Sequence, residues 1–451
     1  MNTPVYDYLK SYSDSDMLRM HMPGHKGKGS GSVLSDILKL DITEITDAGN
    51  LFEDSGIISE SEKNASDIFR TAATMYSVQG STLCIQAMLA LMKYENRSVI
   101  AIRNTHRAFL SACTLLDIDP VWVFPEYKDT IISGRVDFSV IEEKLRITPN
   151  ACVYITSPDY LGVMADIKSL AELCHAYGAV LLVDNAHGAC LPFYSENKHP
   201  IHLGADMCCD SAHKMLPALT GAAYLHIGNP RYVSGAKEAM QLFASTSPSY
   251  LIMCSLDLCN VFLKNSIRQR LSEAEKLMAD LRRGIGKKYV LECPAFDVEP
   301  LHFTINAARS GIKGTLLAER LRAGGIEYEF ADDTYVVLLF SPVDDSGVYE
   351  KVAMALEKTE SDNYSCSRRL FFPEPLRIMS IRSAALSPHE EIPTENAVGR
   401  ICASVTVPCP PAVPVVVSGE LISEEAAAIM KDFGIQTVKA VITDKKRNGL
   451  I

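Results

Sequence analysis

The stretch 179-AVLLVDNAHG-188, followed by the tetrapeptide 211-SAHK-214, decides how we interpret the fold of this chain. Five apolar residues lead directly into Asp184, which predicts a buried strand that ends at a carboxylate. A second short segment, from Cys208 to Ser211, could close a further strand before Lys214. Because ligands of parallel α/β sheets bind outside the carboxyl ends of the strands, Asp184 and Lys214 are expected to face one site.

Asp184 and Lys214 together favour a site for pyridoxal phosphate (PLP). A lysine amine forms a Schiff base with an aldehyde only after losing its proton, and a desolvated site near other cations favours that loss. PLP withdraws electrons only while its ring nitrogen is protonated, and a buried carboxylate facing that nitrogen keeps it so. We therefore predict that Lys214 and Asp184 are catalytic, and that His213 is a candidate for returning a proton. The alternatives are a surface lysine and a helix-capping aspartate.

Several polar side chains are candidates for binding the same cofactor. Gly80-Ser81-Thr82 opens an apolar run predicted to be helical from Leu83 to Met92. A helix N-terminus attracts phosphate through its free N–H groups, and Ser211 and His213 can both donate to a phosphate. His106 follows a predicted strand and could stack on the ring, while His187 could lie beside the cofactor or only stabilise its loop. Taken alone, the serine and threonine are ordinary helix caps and His106 is a solvated loop residue.

Strands and helices alternate from Glu60 to about Ile285, which predicts an α/β domain with a mainly parallel sheet. A compact α+β unit follows, and a small C-terminal unit ends the chain. The first 60 residues show little periodicity and are interpreted as an arm with a short helix. The predicted division is an N-terminal arm (1–59), a large PLP-binding domain (60–288), a small α+β domain (289–361) and a C-terminal domain (362–451).

Composition excludes several classes of function. The 451 residues carry a formal net charge of −11, with 55 acidic and 44 basic residues, so we expect no nucleic-acid partner. No apolar run approaches the roughly 20 residues that cross a bilayer, so we expect no membrane partner. The 13 cysteines form no C-x-x-C pair, which disfavours a metal site. Their odd number and the absence of a secretory h-region predict a cytoplasmic protein.

These motifs resemble the PLP-dependent ornithine/lysine/arginine decarboxylases of fold-type I, in the shorter form that lacks an N-terminal receiver-like wing domain. The resemblance extends over almost the whole chain, and its most specific segments are 21-HMPGHKG-27 and 211-SAHK-214 with Leu216-Pro217. The matching segments are 21-HMPGHKG-27, 41-DITE-44, 80-GST-82, Ser157-Pro158 with Tyr160 and Gly162, Val183-Asp184 with 186-AHG-188, 211-SAHK-214 with Leu216-Pro217, 246-TSPSY-250, and 397-AVGR-400 with Pro410-Pro411 and Gly419-Glu420.

The resemblance implies a role for each matching residue. Lys214 would form the Schiff base, Asp184 would pair with the pyridinium nitrogen, and His106 would stack on the ring. The phosphate would be bound by Ser81, Thr82, Ser211 and His213. The segment containing Thr246 and Ser247 would reach the site of a partner subunit, which implies a homodimer or higher homo-oligomer with shared active sites. The fold implied for the large domain is that of the fold-type I PLP-dependent transferases.

The activity implied by the resemblance is decarboxylation of arginine, lysine or ornithine to an amine and CO₂, as in polyamine biosynthesis. The usual Tyr-Pro-Pro-Gly of the family is 409-CPPA-412 here, and the usual Pro-Gly-Glu is 418-SGE-420. These departures leave the identity of the amino acid open. A distal cation on the substrate needs a carboxylate partner, and the candidates are Glu44, Asp47, Glu53, Asp54 and Glu420.

Two alternatives use the same residues. Another fold-type I activity, such as an aminotransferase or a lyase, would need the same lysine and aspartate, since fold alone does not decide the reaction. An aminotransferase usually also needs an arginine for the α-carboxylate, and the sequence does not place one. The second alternative is a PLP-fold regulatory protein without catalysis, against which the intact Lys214, Asp184 and phosphate-binding residues argue.

Overall fold

The computed structural model describes residues 1–29, 31, 33–127, 130–291, 297–365, 374–409 and 413–442. The helices of this part of the chain are α1 (Pro4–Ser13), α2 (Ser35–Leu40), α3 (Gly56–Phe69), α4 (Gly80–Tyr94), α5 (Arg107–Leu116), α6 (Phe138–Ile147), α7 (Ile167–Ala176), α8 (Ala212–Met215), α9 (Val233–Gln241), α10 (Tyr250–Asn265), α11 (Ile267–Ile285), α12 (Gly314–Ala323), α13 (Ser346–Lys358), α14 (Ile381–Ala385) and α15 (Glu424–Asp432).

The strands of the same residues are β1 (Ala73–Ser77), β2 (Ser98–Ile102), β3 (Val121–Val123), β4 (Glu126–Tyr127), β5 (Gly134–Arg135), β6 (Ala151–Thr156), β7 (Val180–Asp184), β8 (Met207–Asp210), β9 (Ala223–Ile227), β10 (Val290–Leu291), β11 (His302–Asn306), β12 (Phe330–Ala331), β13 (Tyr335–Leu339), β14 (His389–Pro393), β15 (Thr406–Cys409), β16 (Val413–Val417) and β17 (Thr437–Val441).

The central sheet has seven strands in the order β1-β9-β8-β7-β6-β2-β3. Strands β8, β7, β6, β2 and β3 pair in parallel, whereas β9 runs antiparallel to both of its neighbours. This arrangement confirms the predicted α/β class with a mainly parallel sheet. The carboxyl ends of β6, β7 and β8 meet at one edge, because Thr156 lies opposite Asp184 and Asp184 lies opposite Cys209.

Helices cover both faces of the central sheet, which explains why its strands are almost wholly apolar. Leu182 packs on one face, in a cluster with residues of α4, α5 and α9. Leu181 and Val183 point to the opposite face and pack with residues of α6 and α7. Burial on both faces fixes the register of β7, because a shift of one residue would exchange these two sets of side chains.

A second sheet, antiparallel and in the order β10-β11-β13-β12, follows the long helix α11. The C-terminal part contains two further two-stranded sheets, β14 with β17 and β15 with β16. Helix α3 spans residue 59, where the sequence suggested an end to the arm. The division into 1–59, 60–288, 289–361 and 362–451 stays a prediction.

The sequence located most elements near the site but missed others. Short apolar runs at 98–102 and 151–156 predict two strands, and the pattern at 167–177 predicts a helix; these elements coincide with β2, β6 and α7. Helix α10 and strand β1 were not anticipated, and the arm contains two helices, α1 and α2, where one was expected. The departure at 409-CPPA-412 lies mostly outside the described residues.

A buried ion pair joins the central sheet to the C-terminal part. Arg103 follows β2 and donates two hydrogen bonds to Glu420, at 2.7 and 2.8 Å. Both side chains are almost completely removed from solvent, and the guanidinium also lies over the rings of Trp122 and Phe124. A buried carboxylate with a bidentate partner is committed to that partner. Glu420 is therefore unavailable to a substrate, which contradicts its candidacy as a substrate-binding acid.

Glu420→Gln is expected to destabilise the protein by about 3 kcal/mol, because it leaves the Arg103 guanidinium buried without a compensating charge. The measurement is the free energy of unfolding from urea titration, followed by circular dichroism. The matched control is Glu142→Gln, which removes an exposed ion pair with Arg146 and should change stability little. If both substitutions change the free energy of unfolding by a similarly small amount, the ion pair of Glu420 with Arg103 does not stabilise the fold as described.

Candidate active site

The site lies at the carboxyl edge of the central sheet, where β7 ends at Asp184 and β8 leads into α8. Lys214 is in this short helix, and its backbone N–H donates to the Ser211 carbonyl at 3.1 Å. The lysine side chain is half-buried, whereas Asp184 and Ser211 are buried. The structure thus brings the two residues first singled out in the sequence to one edge of the sheet, as parallel topology requires.

Among the described residues, the groups that donate hydrogen bonds to the Asp184 carboxylate are neutral. Its carboxylate accepts hydrogen bonds from the Tyr154 hydroxyl and the Ala186 N–H, both at 3.2 Å, and from the Cys209 thiol at 3.5 Å. Burial, followed by the Asp184 charge, raises the pKa of Tyr154 well above its usual value, so Tyr154 stays a donor. A buried carboxylate without a cationic partner is costly, and a protonated ring nitrogen would supply the missing charge.

A second buried carboxylate, Asp210, positions the loop after Asp184 through a hydrogen bond to Asn185. The Asn185 side-chain amide donates to Asp210 at 2.7 Å, and His199 contacts its other oxygen at 3.2 Å. Burial favours a higher pKa, but His199 and His226 together lower the pKa of Asp210 below its usual value. Gly188 is required here, because a Cβ at that position would lie 2.0 Å from the Asn185 side-chain oxygen.

Lys214 is in direct contact with His187, a residue that the sequence linked only loosely to the cofactor. The lysine Nζ lies 3.0 Å from His187 Nε2. Burial lowers the pKa of Lys214, although the negative charges of Asp184 and Glu329 oppose the shift. Burial also lowers the pKa of His187 well below its usual value, with Lys214 adding to the effect. The shift of Lys214 favours its neutral amine, which is the nucleophilic form of lysine, and the shift of His187 keeps its imidazole neutral.

Tyr160 and Glu329 border the same site from the other side. The Tyr160 ring meets the His187 ring edge-on, with centroids 5.2 Å apart, and its hydroxyl donates to Glu329 at 2.8 Å. Glu329 is exposed, and its charge acts on Lys214. Glu329 precedes β12 in the second sheet, far from Lys214 along the chain, so no local motif in the sequence indicated it.

The predicted phosphate-binding residues come from two segments that meet at residues 221–222. The Gly80 N–H donates to the Gly221 carbonyl at 2.7 Å, and the His213 N–H and Nδ1 both contact the Ala222 carbonyl. No side chain caps the N-terminus of α4, so free N–H groups remain beside Ser81 and Thr82. This arrangement offers an anion the uncapped helix end, with Ser211 and His213 at the other border.

His106 caps the N-terminus of α5, where its Nδ1 accepts the Ala108 N–H at 3.1 Å. Surrounding protein lowers the pKa of His106, and the charges of Asp184 and Lys214 both act on it. The ring therefore stays neutral near the two key residues, which suits a stacking partner for an aromatic ring.

Other predicted residues are not brought to Lys214 within the described chain. Thr246 and Ser247 are exposed on the segment between α9 and α10, and none of the contacts described above involves them. A separate cavity of about 480 Å³ in the N-terminal arm is lined by Glu44, Asp47 and Glu53, among other residues. Asp54 is exposed and lies 3.8 Å from Lys237.

Sequence reasoning missed Glu299 and His302, which are completely buried and connect to His187. His302 Nε2 lies 3.1 Å from His187 Nδ1, and His302 Nδ1 lies 2.9 Å from Glu299. The segment 299-EPLH-302 has no pattern that indicates a functional role. Only the packing of β11 against the central sheet shows the connection.

The residues present fit PLP by the chemistry of their side chains. Asp184 is a buried carboxylate that lacks a Lys, Arg or His ion-pair partner within the described residues. Lys214 is an amine whose pKa is lowered, and α4 offers an uncapped helix N-terminus for a phosphate. These three features match the pyridine nitrogen, the aldehyde and the phosphate of the cofactor.

Comparisons with known proteins agree with this site. Residues 3–302 match the model of the Orn/Lys/Arg decarboxylase major domain, and residues 379–438 match the C-terminal domain of the same family. An arginine decarboxylase from Bacillus subtilis is 29% identical over 94% of this chain and 92% of its own length.

Solved structures extend the likeness to the fold. The Francisella novicida lysine decarboxylase LdcF superposes with a TM-score of 0.82 at 18% identity, covering 98% of this chain and 81% of that one. A structure of SPT with PLP gives a TM-score of 0.52 at 13% identity, covering 66% of this chain and 75% of that one. These proteins share the fold of the PLP enzymes of fold-type I.

Among the described residues, no helix combines the length and apolar character needed to cross a membrane. The match to the major domain covers more than half of the chain and includes Asp184, His187 and Lys214. The chain therefore belongs to the Orn/Lys/Arg decarboxylase family, and it is a PLP-dependent carboxy-lyase that acts on a basic amino acid.

Proposed function

We propose that the amino acid decarboxylated by this chain is arginine and that Lys214 holds the cofactor. The observation that carries the proposal is the placement of a half-buried lysine beside a buried carboxylate, Asp184, and an imidazole, His187. Arginine is favoured over lysine and ornithine because the Bacillus subtilis relative, similar over nearly its whole length, is named an arginine decarboxylase.

Bound PLP would accept the electron pair that the α-carboxylate leaves behind when it departs as CO₂. Asp184 would hold the proton on the ring nitrogen, and His106 would fix the plane of the ring. Gly80, Ser81, Thr82, Ser211 and His213 would bind the phosphate. Lys214 or His213 would then return a proton to the α-carbon.

We propose that Glu329 binds the distal cation of the substrate. It is the exposed carboxylate whose charge acts on Lys214, and Tyr160 fixes one of its oxygens at 2.8 Å. Its other oxygen can accept a hydrogen bond from a guanidinium. The planar guanidinium of arginine would use such a carboxylate better than an ammonium would.

The resemblance supports a shared active site between subunits, and the odd number of cysteines supports a cytoplasmic location. Thr246 and Ser247 are exposed in the single chain, as a segment that reaches a partner's site would be. A cytoplasmic homodimer or larger homo-oligomer with shared active sites is the assembly that we propose.

CO₂ release from arginine by the purified, PLP-loaded protein is the first test. We expect arginine to be used with a kcat/KM at least about tenfold above lysine and ornithine, which corresponds to 1.4 kcal/mol of discrimination. The amine formed is identified by mass spectrometry, and Lys214→Ala should reduce the release to background. Equal or greater use of lysine or ornithine would contradict the choice of arginine.

Glu329→Gln is expected to raise the KM for arginine about fivefold, because one exposed carboxylate–guanidinium pair is worth about 1 kcal/mol. The kcat should change less, since Glu329 does not contact the reacting atoms. The matched control is Glu327→Gln, two residues away, whose carboxylate pairs with Arg322 at 3.2 Å. If both substitutions leave KM unchanged, another acid binds the guanidinium.

A further inference from the structure

A continuous row of hydrogen-bonding groups leads from Lys214 into the second sheet. Lys214 Nζ lies 3.0 Å from His187 Nε2, and His187 Nδ1 lies 3.1 Å from His302 Nε2. His302 Nδ1 lies 2.9 Å from Glu299, whose other oxygen accepts the Tyr194 hydroxyl at 2.7 Å. Beyond Lys214, all four residues are buried.

The partners of Glu299 determine where the protons lie. Its Oε2 accepts the backbone N–H groups of Leu301 at 2.8 Å and of His302 at 3.0 Å, and a backbone amide can only donate. Burial and the Glu299 charge raise the pKa of Tyr194 well above its usual value, so its hydroxyl is also a donor. An oxygen that already accepts two N–H bonds requires His302 Nδ1 to carry a proton and donate.

The proton on His302 Nδ1 determines the tautomers of both His302 and His187. With its proton on Nδ1, a neutral His302 presents a lone pair at Nε2, which His187 Nδ1–H can fill. A neutral His187 then presents its own lone pair at Nε2, directly toward the Lys214 ammonium. Each hydrogen bond from Lys214 to Glu299 then has one donor and one acceptor, with the donor always on the Lys214 side.

We propose that His187, His302 and Glu299 form a proton relay that deprotonates Lys214. A proton passes from Lys214 Nζ to His187 Nε2 while the Nδ1 proton of His187 passes to His302 Nε2. The positive charge then rests on His302, beside the Glu299 carboxylate. The neutral amine would then be ready for the aldehyde that PLP supplies, where a C=N bond would replace the C=O bond and the oxygen would leave as water. This inference depends on the proposed role of Lys214 as the cofactor lysine.

The geometry is fixed by close packing between the two sheets. Gly162 has a φ of +86°, and a Cβ there would lie 2.6 Å from the Cβ of His302, so only glycine admits the imidazole. The Glu299 N–H donates to the Gly162 carbonyl at 2.8 Å, which ties the acid to the same loop. His302 and Glu299 are positioning residues, since His187 is the member of the relay that contacts Lys214.

Other charged and titratable groups act on the relay from the surrounding elements. Asp184, Cys209 and Glu329 act on Lys214, and His106 acts on His187. The buried Asp159 interacts with His302, and Glu299 interacts with Glu275, Cys190 and Tyr349. Tyr160 packs edge-on against His187. These groups remain unchanged in the variants below, so differences between samples belong to the relay.

The test is the rate at which the full chain, stripped of PLP, captures added PLP at a series of pH values. The rise of the visible absorbance of the covalent linkage reports the rate without requiring turnover. Glu299→Gln and His302→Gln are each expected to slow capture at least about tenfold near pH 7 and to move the pH midpoint upward by about one unit. The lysine would then need a higher pH to lose its proton.

The matched control is His202→Gln, which replaces an exposed histidine and should reproduce the wild-type rate and midpoint. If both relay variants keep the wild-type pH profile, the relay is wrong even though the proposed function stands. If the wild-type chain captures no PLP at any pH, the proposed role of Lys214 is wrong instead.

A second measurement needs no substitution, so it decides the matter if the variants do not fold. The ¹⁵N spectrum of histidine-labelled wild-type chain should show a proton on Nδ1 of His302, because the relay keeps it there before and after transfer. The signal is assigned through the contact of the His302 ring with Gly162. A His302 ring without a proton on Nδ1 would overturn the proposal.

Discussion

The whole site depends on keeping Lys214 uncharged beside a carboxylate. Asp184 favours an ammonium on Lys214, yet the ammonium cannot attack an aldehyde. Burial acts in the opposite direction and is the larger effect on the lysine pKa. The contact with His187 Nε2 adds an acceptor for the proton that must leave. In the mechanism that we propose, desolvation and this hydrogen bond together make Lys214 reactive.

The same requirement explains why residues from two sheets converge. The central sheet supplies Asp184 and Lys214 at its carboxyl edge, where the parallel strands end. The second sheet supplies His302 at the start of β11 and Glu329 just before β12. Gly162 lets the two sheets approach closely enough for His302 to reach His187. The relative position of the sheets thus determines whether His302 contacts His187.

The sequence predicted the parts of the site that depend on local pattern. Apolar runs that end in a polar residue located β6 and β7, and 211-SAHK-214 located the lysine. It did not predict Glu299, His302 or Glu329, because these residues reach the site only through packing between elements distant in the chain. It also offered Glu420 to the substrate, whereas the fold buries that carboxylate against Arg103. Pairing of this kind has no signature within either segment.

The measurement that tests the central claim most directly is peptide mapping after borohydride reduction of the PLP-loaded protein. Reduction makes the bond between cofactor and lysine permanent, so the labelled peptide identifies the amine that formed it. We expect one labelled peptide, with the added mass on Lys214. A label on any other lysine, with Lys214 unmodified, would contradict it.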